Sequence, residues 1–236
     1  MSAKQRVVAA NRLLALLPLG QRDDFLAECS VVDLVFGSIL YERGDRVSHV
    51  YFPIDSFVSM LMIVDDRSVL EVGMIGSEGM CGHALILGGN VAPLRVVVQG
   101  SGTAWRMKAT SFRGRLERMP ALRRLLDRYV YVLLGQLAQT AACTRFHVVE
   151  RRLARWLLMT ADRARSDSFE VTQEFLAFML GVRRVGVTAA AGSLQSRKLI
   201  RYKRGNVAIL DRRRLEAAAC VCYRSDLETY RHGLKR

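Results

Sequence analysis

The chain has 236 residues, half of them apolar, which is enough to bury one large core or two small ones and indicates a globular protein. Its net charge of +14 is uneven: residues 150–236 carry 19 basic and 9 acidic side chains, whereas residues 1–114 carry 11 of each. This asymmetry favours a polyanion partner for the C-terminal part. The apolar run Leu13–Leu19 is short and contains Pro18, so we expect no targeting or membrane-spanning segment there.

Cysteine usage favours reduced thiols, because the number is odd and no paired framework is visible. The cysteines are Cys29, Cys81, Cys143, Cys220 and Cys222. Cys220 and Cys222 are close in sequence, but a zinc site of two cysteine pairs would need a second pair, which the sequence lacks. Four cysteines grouped as ligands of an iron–sulfur cluster are not apparent either. Cys81 and His83 are interpreted as packing residues, and Cys143 as a buried, inert thiol. The sequence therefore predicts no metal site.

The first half of the chain changes from helical to β-rich character. Residues 3–28 are predicted to be helical, with a Pro-Leu-Gly break at residues 18–20. Beyond them, short apolar runs separated by Gly, Asp and Asn favour an antiparallel roll or barrel. The predicted strands are Val31–Phe36, Ser38–Tyr41, His49–Pro53, Phe57–Val64, Val69–Met74, Arg95–Gln99 and Thr103–Met107.

An apolar segment from Pro120 to Phe146 predicts one long helix, because proline is favoured in a first turn and no further proline follows. The helix is apolar on more than one side, so it needs a second cover besides its own roll. We expect that cover to be the same helix of a second subunit, with burial inside one domain as the alternative. The predicted dimer contacts step by three or four: they are Leu126, Tyr129, Leu133, Leu137 and Thr140.

The stretch from Thr172 to Leu194 predicts two short helices joined by a tight turn. Thr172 is a good N-cap for the first helix, and Gly181 supplies the break at which that helix ends. The second helix begins with Arg183 and Arg184. Such a helix-turn-helix can place the N-terminal residues of its second helix on base edges in a DNA major groove.

Two β-rich runs around a Gly-Asn turn follow at residues 198–210 and predict a hairpin, or wing, whose basic side chains meet phosphates. A helix at His147–Arg163 is predicted to pack against the helix-turn-helix, and residues 163–170 are predicted to be a polar loop. The alternative interpretation is an ordinary helical pair and hairpin with solvated charges.

The order of roll, long helix and winged helix-turn-helix resembles the Crp/Fnr family of bacterial transcription regulators over nearly the whole chain. The resemblance is carried by residues 40–45 (LYERGD) with residues 50–52 (VYF), similar to the first roll strands, and by residues 172–200, similar to the helix-turn-helix and the start of the wing. It implies a DNA-binding homodimer whose sensory roll biases the DNA-reading domains. The implied partners are double-stranded DNA with a two-fold symmetric operator, a second copy of the chain and RNA polymerase, in the cytoplasm.

The expected fold class is α+β, with an N-terminal antiparallel β-roll of the cyclic-nucleotide-binding type, a long dimerisation helix and a C-terminal winged helix-turn-helix. The expected domains are a sensory roll with N-terminal helices at residues 1–118, the dimerisation helix at 119–146 and the DNA-binding domain at 147–236.

The resemblance also implies roles for individual residues. Arg184 lies where many members have a base-reading arginine, and arginine on guanine contributes about 1–3 kcal/mol of discrimination. Val185 lies where many members have an acidic residue, and Ala189 where many have a polar or basic one. Valine and alanine cannot hydrogen-bond to bases, but they can contact thymine methyl groups. The candidate DNA-binding residues are Arg183, Arg184, Thr188, Gln173, Thr172, Arg197, Lys198, Lys203 and Arg204.

Residues 73–82 (GMIGSEGMCG) resemble the start of the family's phosphate-binding cassette. In that cassette backbone N–H groups bind a phosphate, and a glutamate binds a ribose hydroxyl. The family's Arg-Ser or Arg-Thr pair is replaced by residues 92–94 (APL). Cyclic AMP is therefore disfavoured, which leaves another small nucleotide-like effector, or none, as alternatives. The candidate effector-binding residues are Gly76, Ser77, Glu78, Gly79, Met80, Arg95, Gln139 and Thr140.

Two other classes of function are weaker. A cupin-like metal enzyme needs clustered histidines and carboxylates, but the roll has only His49 and His83, far apart in sequence. A signalling dimer whose winged helix binds protein is possible for the fold, but the +10 charge of residues 150–236 disfavours it. We therefore predict a regulator and not an enzyme.

Overall fold

A computed structural model of the chain describes residues 11–65 and 68–234. The predicted N-terminal helical segment lies partly outside these residues. Its described part is a 3-10 turn at Leu14–Leu16 and helix α1 at Leu19–Ala27, which begins directly after Pro18.

The predicted β-rich region forms seven strands, and each predicted strand is confirmed to within two residues at either end. Two antiparallel sheets result, with strand orders β1-β7-β3 and β2-β6-β4-β5. The short apolar runs and the turn residues between them explain why the strands could be predicted. The strands are β1 (Ser30–Leu34), β2 (Ile39–Tyr41), β3 (His49–Pro53), β4 (Phe57–Asp65), β5 (Ser68–Ile75), β6 (Arg95–Gly100) and β7 (Gly102–Lys108).

Aromatic packing joins the first sheet to its flanking helices. Helix α2 (Ala109–Arg118) follows β7 directly. The ring of Phe52 on β3 meets Phe25 of α1 edge-on at a centroid distance of 5.4 Å and Phe112 of α2 at 6.4 Å. All three rings are fully buried. Burying a phenylalanine side chain contributes about 1.5–3 kcal/mol, so this cluster is a main part of the roll's core.

The long helix is confirmed at its predicted bounds: α3 runs over Pro120–Phe146. A further helix, α4 (Val149–Ala164), replaces the predicted His147–Arg163 with a shift of one or two residues. The predicted polar loop after it contains a short strand, β8 (Ser168–Glu170), which the sequence analysis missed.

The remaining elements form the C-terminal part of the fold. Its two helices at the predicted helix-turn-helix are α5 (Gln173–Leu180) and α6 (Arg184–Ser196), and the wing strands are β9 (Ile200–Lys203) and β10 (Asn206–Ile209). Strand β10 pairs antiparallel with both neighbours in the order β8-β10-β9. Helices α7 (Arg212–Ala218) and α8 (Cys222–Gly233), which were not predicted, follow.

The chain divides into two compact units, at boundaries that differ from the predicted domains. Of the described residues, one unit comprises 11–60, 74–134 and 232–234, and the other 61–65, 68–73 and 135–231. The division assigns residues 61–65 of β4 and residues 68–73 of β5 to the second unit and divides α3 between the two.

Among the described residues, no single helix has the length and apolar composition needed to cross a membrane. Only α5 and α6 taken together pass such a test, and they are bent by 107° at the turn between them.

Candidate nucleic-acid interface

The predicted turn between the two short helices has the predicted caps. The hydroxyl of Thr172 accepts a hydrogen bond from the backbone N–H of Phe175 at 3.1 Å, which satisfies an N–H that the helix itself leaves free. Gly181 ends α5 with φ 60° and ψ 43°, a left-handed conformation that glycine adopts without strain. The 107° bend lies in the range of DNA-binding helix-turn-helix units.

Buried side chains fix α6 on α4. Val187, Ala191 and Leu194 line one face of α6 and are at most 3% exposed. They pack in the same unit as Leu153 and Leu157 of α4, which are also buried. Since one face of α6 is held in this way, its opposite face is the one left to solvent.

The exposed face of α6 carries the predicted base-reading residues. Arg183 is the N-cap and Arg184 the first residue of the helix, and both side chains are exposed. Val185 is 72% exposed, and Ala189 lies one turn further along the same face. An exposed valine beside two arginines offers apolar contacts next to hydrogen-bond donors.

Thr188 and Gln173 are bound to each other. The Thr188 hydroxyl lies 2.6 Å from Gln173 Oε1 and 3.1 Å from the carbonyl oxygen of Arg184, and its one proton serves these two acceptors. The bond ties the first turn of α5 to the first half of α6. Thr188 is thus engaged within the protein, which the sequence alone did not indicate.

The wing turn differs from the predicted Gly-Asn turn. Lys203 pairs with Asn206, so the two central residues are Arg204 and Gly205, with φ 51° and 81°. Two positive φ values are those of the type I′ turn that matches the twist of a two-residue hairpin. Asn206 is therefore the first residue of β10, and the prediction was wrong by one residue.

The wing presents its cations to solvent. Lys198, Arg201, Lys203 and Arg204 are all exposed. Arg197 differs, because its guanidinium lies 2.7 Å from the Glu150 carboxylate in a partly exposed ion pair. Surface pairs of this kind contribute little, about 0–1 kcal/mol, so Arg197 can exchange its partner.

The glycine-rich segment of the roll is held by hydrogen bonds from its own chain. Glu78 accepts from the backbone N–H of Gly76 at 3.2 Å. The carbonyl of Gly79 accepts from the side-chain amide of Asn11 at 3.1 Å, and the carbonyl of Met80 from the hydroxyl of Tyr129 at 3.1 Å. Glu78, the candidate ribose ligand, is thus engaged with the backbone of the segment itself.

A cavity of about 10 Å³ lies beside this segment, which is room for about one water molecule and far below the volume of a small-molecule pocket. Ala92, Pro93 and Leu94 are among its lining residues, at the positions where the family has its phosphate-binding pair. Arg95 is not, because its guanidinium binds Glu42 at 2.7 Å. His83 does line the cavity, but burial lowers its pKa and keeps it neutral at pH 7. The lining therefore lacks a cation that would neutralise a phosphate.

Two further candidate effector residues lie in the second unit with other partners. The side-chain amide of Gln139 donates to the sulfur of Cys222 at 2.9 Å. The hydroxyl of Thr140 accepts from the Arg155 guanidinium at 3.3 Å.

Part of the predicted dimer face is incorrect. Leu126, Tyr129 and Leu133 are at most 3% exposed in the single chain, because they pack in the core of the first unit. They have no surface to offer a partner. Leu137 and Thr140 are half-buried.

Another face of α3 carries exposed apolar side chains. Tyr131 and Leu134 are 69% and 60% exposed, and Ala138 and Ala142 continue the face at helical spacing. The steps of three, four and four residues keep these side chains on one face of the helix.

The cysteines contradict the predicted absence of a cluster. Three of the five, Cys143, Cys220 and Cys222, gather with His147 so that their sulfur and ring nitrogen atoms lie within 4.8 Å of one another. The folding of α8 against the end of α3 unites residues far apart in sequence, which spacing could not reveal. The available signals were the four-residue step from Cys143 to His147 and the close pair Cys220 and Cys222.

Comparison with known proteins agrees with this architecture. Residues 151–218 match the family model described as a Crp-like helix-turn-helix domain. No curated protein matches the chain.

Solved structures of low sequence identity share the fold. A transcriptional regulator of the Crp/Fnr family from Eubacterium rectale is 16% identical, with a TM-score of 0.69, and the match covers 87% of this chain and 96% of that one. The c-di-GMP-responsive global regulator CLP of Xanthomonas campestris is 17% identical, with a TM-score of 0.68 and coverage of 81% and 99%. FixK2 of Bradyrhizobium japonicum is 13% identical, with a TM-score of 0.66 and coverage of 81% and 98%.

The Crp-like domain lies within a fold of roll, long helix and winged helix-turn-helix that these regulators share, which confirms the expected α+β fold class. Residues 151–218 are therefore a Crp-like helix-turn-helix domain, in a chain whose fold is similar to that of these regulators.

Proposed function

We propose that the chain binds DNA sequence-specifically as a homodimer, with α6 of each subunit in a major groove and half-sites about one helical turn apart. The observation that carries this proposal is the exposed pair Arg183 and Arg184 at the start of α6, next to a wing with exposed cations. The +10 charge of residues 150–236 supports the same partner.

Base reading is assigned to the exposed face of α6. Arg184 donates to guanine O6 and N7, the commonest specific contact in the major groove. Val185 and Ala189 contact thymine methyl groups. Thr188 is held by Gln173 and so positions the two helices instead of reading a base.

Phosphate contacts are assigned to the wing and to the start of α5. Lys198, Lys203 and Arg204 have exposed side chains that reach the DNA backbone. Thr172 and Gln173 begin a helix, whose N-terminal N–H groups favour phosphate. Arg197 joins them when its surface pair with Glu150 opens. These contacts supply affinity without sequence preference.

Dimerisation is assigned to the exposed face of α3 that carries Tyr131, Leu134, Ala138 and Ala142. Pairing these faces across a two-fold axis buries two large apolar side chains per subunit, and the alanines allow close approach of the helices. This face replaces the buried residues of the earlier prediction.

The proposed effector is not cyclic AMP, because the roll cavity is small and its lining lacks a cation for a phosphate. The response to c-di-GMP is a property of the Xanthomonas protein and serves here as one arm of the test. We further propose RNA polymerase as a partner and the cytoplasm as the location, since a transcription regulator works where the chromosome is.

The test is selection from a random duplex library by the full-length protein at physiological salt, without ligand and with cyclic mono- and dinucleotides. Enrichment of a two-fold symmetric site without ligand is expected. Enrichment only with a cyclic nucleotide would support DNA binding but contradict the proposed absence of a phosphate site. No enrichment in any arm, with no salt-sensitive binding, would contradict DNA binding and favour the protein-binding alternative.

Two variants separate base reading from phosphate binding. Arg184→Ala should relax specificity at one base pair of each half-site, with a loss of about 1–3 kcal/mol on the preferred sequence only. Lys203→Ala is the matched control: it should weaken all sequences alike and lower the slope of log K against log salt by about 1 per bound chain. An unchanged base preference in Arg184→Ala would refute the assignment.

A further inference from the structure

A cluster of thiols outside the DNA-binding face has no role in the proposed function. Cys143 lies near the end of α3, and His147 follows that helix directly. Cys220 lies between α7 and α8, and Cys222 is the first residue of α8. The three cysteines are at most 3% exposed and His147 is half-buried. Four side chains that commonly bind metals thus meet where two segments of the second unit, the end of α3 and the start of α8, come together.

Their spacing is that of ligands around one ion. The sulfurs of Cys143 and Cys220 are 3.5 Å apart, and the sulfur of Cys222 lies 3.4 Å from Nδ1 of His147. With metal–sulfur bonds of about 2.3 Å and metal–nitrogen bonds of about 2.0–2.1 Å, tetrahedral geometry separates two sulfurs by about 3.8 Å and a sulfur from a nitrogen by about 3.6 Å. These two observed distances are within a few tenths of an ångström of the tetrahedral values, and the remaining pairs of ligand atoms lie within 4.8 Å.

The same distances disfavour the two alternative chemistries. A disulfide joins its sulfurs at about 2.05 Å, well below the 3.5 Å between Cys143 and Cys220. An iron–sulfur cluster distributes its four ligands over two or more irons, so ligands bound to different irons are further apart than ligands around one ion. All four ligand atoms here lie within 4.8 Å of one another. The arrangement suits a mononuclear ion.

We infer that Cys143, His147, Cys220 and Cys222 form a four-coordinate structural site for one thiophilic divalent metal ion, of which Zn²⁺ is the expected occupant. Three thiolates and one imidazole are a common structural zinc set, and four protein ligands leave no open position for catalysis. Soft sulfur ligands disfavour Mg²⁺ and Ca²⁺, which take oxygen.

Neighbouring polar groups support thiolates at this place. The side-chain amide of Gln139 donates to the Cys222 sulfur at 2.9 Å, the kind of outer hydrogen bond that orients a metal ligand. Metal binding requires deprotonated thiols, and a sulfur that carries negative charge is the better acceptor for such a hydrogen bond.

The charges of the surroundings also balance. A divalent ion with three thiolates and a neutral imidazole carries one negative charge. Arg152 and Arg155 are buried and interact electrostatically with Cys143, and Arg155 also binds Asp226 at 2.6 Å. The two arginines offset the carboxylate and the metal site together. Buried charges without such compensation would be costly.

The ion would cross-link segments that are far apart in sequence. It joins the end of α3 to the start of α8, closing the chain between residues 143 and 220. Because the unfolded chain lacks a preformed site, binding free energy adds to the stability of the fold. The site is independent of the proposed DNA contacts, so either proposal can fail alone.

The test measures bound metal in the full-length chain, produced without a histidine tag and purified under reducing conditions. About one zinc or iron ion per chain is expected. Replacement by Co²⁺ should give the thiolate-to-cobalt charge-transfer and visible bands of a tetrahedral sulfur-rich site. Chelation should lower the melting temperature, since the metal stabilises the folded state.

Variants then assign the ligands. Cys143→Ser, Cys220→Ser and Cys222→Ser should each reduce bound metal at least tenfold. Cys29→Ser, which removes a thiol elsewhere, should keep it. Gln139→Ala tests the outer hydrogen bond without removing a ligand and should weaken metal affinity about 10–100-fold in chelator competition. If a ligand variant does not fold, the number of metal ions bound per wild-type chain and the cobalt spectrum of the wild-type protein still test whether the site exists.

Three results would overturn the inference. One is a metal-free wild-type protein that gives no cobalt–thiolate band. Another is a chain that exists only with a Cys143–Cys220 disulfide. The third is equal loss of metal from Cys29→Ser and from the ligand variants.

Discussion

Gly79 offers a direct test of what the glycine-rich segment of the roll does. A Cβ at this position would lie 2.5 Å from the hydroxyl oxygen of Tyr129, 2.9 Å from its ring carbon Cε2 and 3.0 Å from Ile75 Cγ2. Tyr129 is fully buried and donates to the Met80 carbonyl, so it cannot move away without losing that bond. The structure therefore requires glycine here to accommodate its own tyrosine, with or without an effector.

The expected cost of Gly79→Ala combines two effects. Overpacking a core typically costs about 1–3 kcal/mol, and displacing the Tyr129 hydroxyl from Met80 costs about 1 kcal/mol more. Destabilisation by about 2–4 kcal/mol corresponds to a fall in melting temperature of roughly 4–16 °C for a chain of this size. Gly20→Ala is the matched control, because nothing lies within 4 Å of its Cβ. At this exposed position in the first turn of α1 the change should stabilise by at most about 0.5–1 kcal/mol.

The assay is thermal unfolding followed by circular dichroism, with a double-mutant cycle. Tyr129→Phe alone should cost about 1 kcal/mol, and Gly79→Ala in that background should cost at least about 1 kcal/mol less than in the wild type, since the nearest atom is gone. A melting temperature unchanged in Gly79→Ala, or additive effects of the two changes, would refute the explanation. Glycine would then be needed for something other than Tyr129.

Two further predictions concern the second half of the chain. Thr172→Ala should lower the stability of the DNA-binding domain by about 0.5–2 kcal/mol and speed hydrogen exchange at the Phe175 amide. Thr172→Ser should keep the cap, so equal behaviour of the two variants would contradict the capping role. Leu134→Glu should convert the dimer to a monomer in sedimentation experiments, because it places a charge on the proposed apolar interface. Leu134→Met should remain dimeric. A dimeric Leu134→Glu protein would exclude this face of α3 as the dimer interface.

The fold could be predicted where local signals determine it. The strands are short apolar runs between turn residues, and Pro120 begins α3. Thr172 and Gly181 bound α5 through capping bonds that act within four residues. The missed strand β8 has only three residues and gains its order from pairing with β10, a partner that no local pattern reveals.

The errors in the site have a different origin. α3 is apolar on several sides, and only the folded chain shows that the face of Tyr129 packs inside while the face of Leu134 remains exposed. The thiol cluster required knowledge of which distant residues α8 brings to the end of α3. In both cases the deciding contacts are tertiary, so periodicity and spacing could not supply them.

The exposed Val185 has a consequence for the DNA that the proposed regulator would tolerate. A valine against the major groove recognises a methyl group, and 5-methylcytosine presents its methyl group where thymine does. Such a surface does not separate a T·A pair from a methylated C·G pair as sharply as a hydrogen-bonding side chain would. With one arginine as the main specific anchor, each half-site encodes little information, and the chain would accept a family of related operators whose ranking changes with the methylation state of the genome.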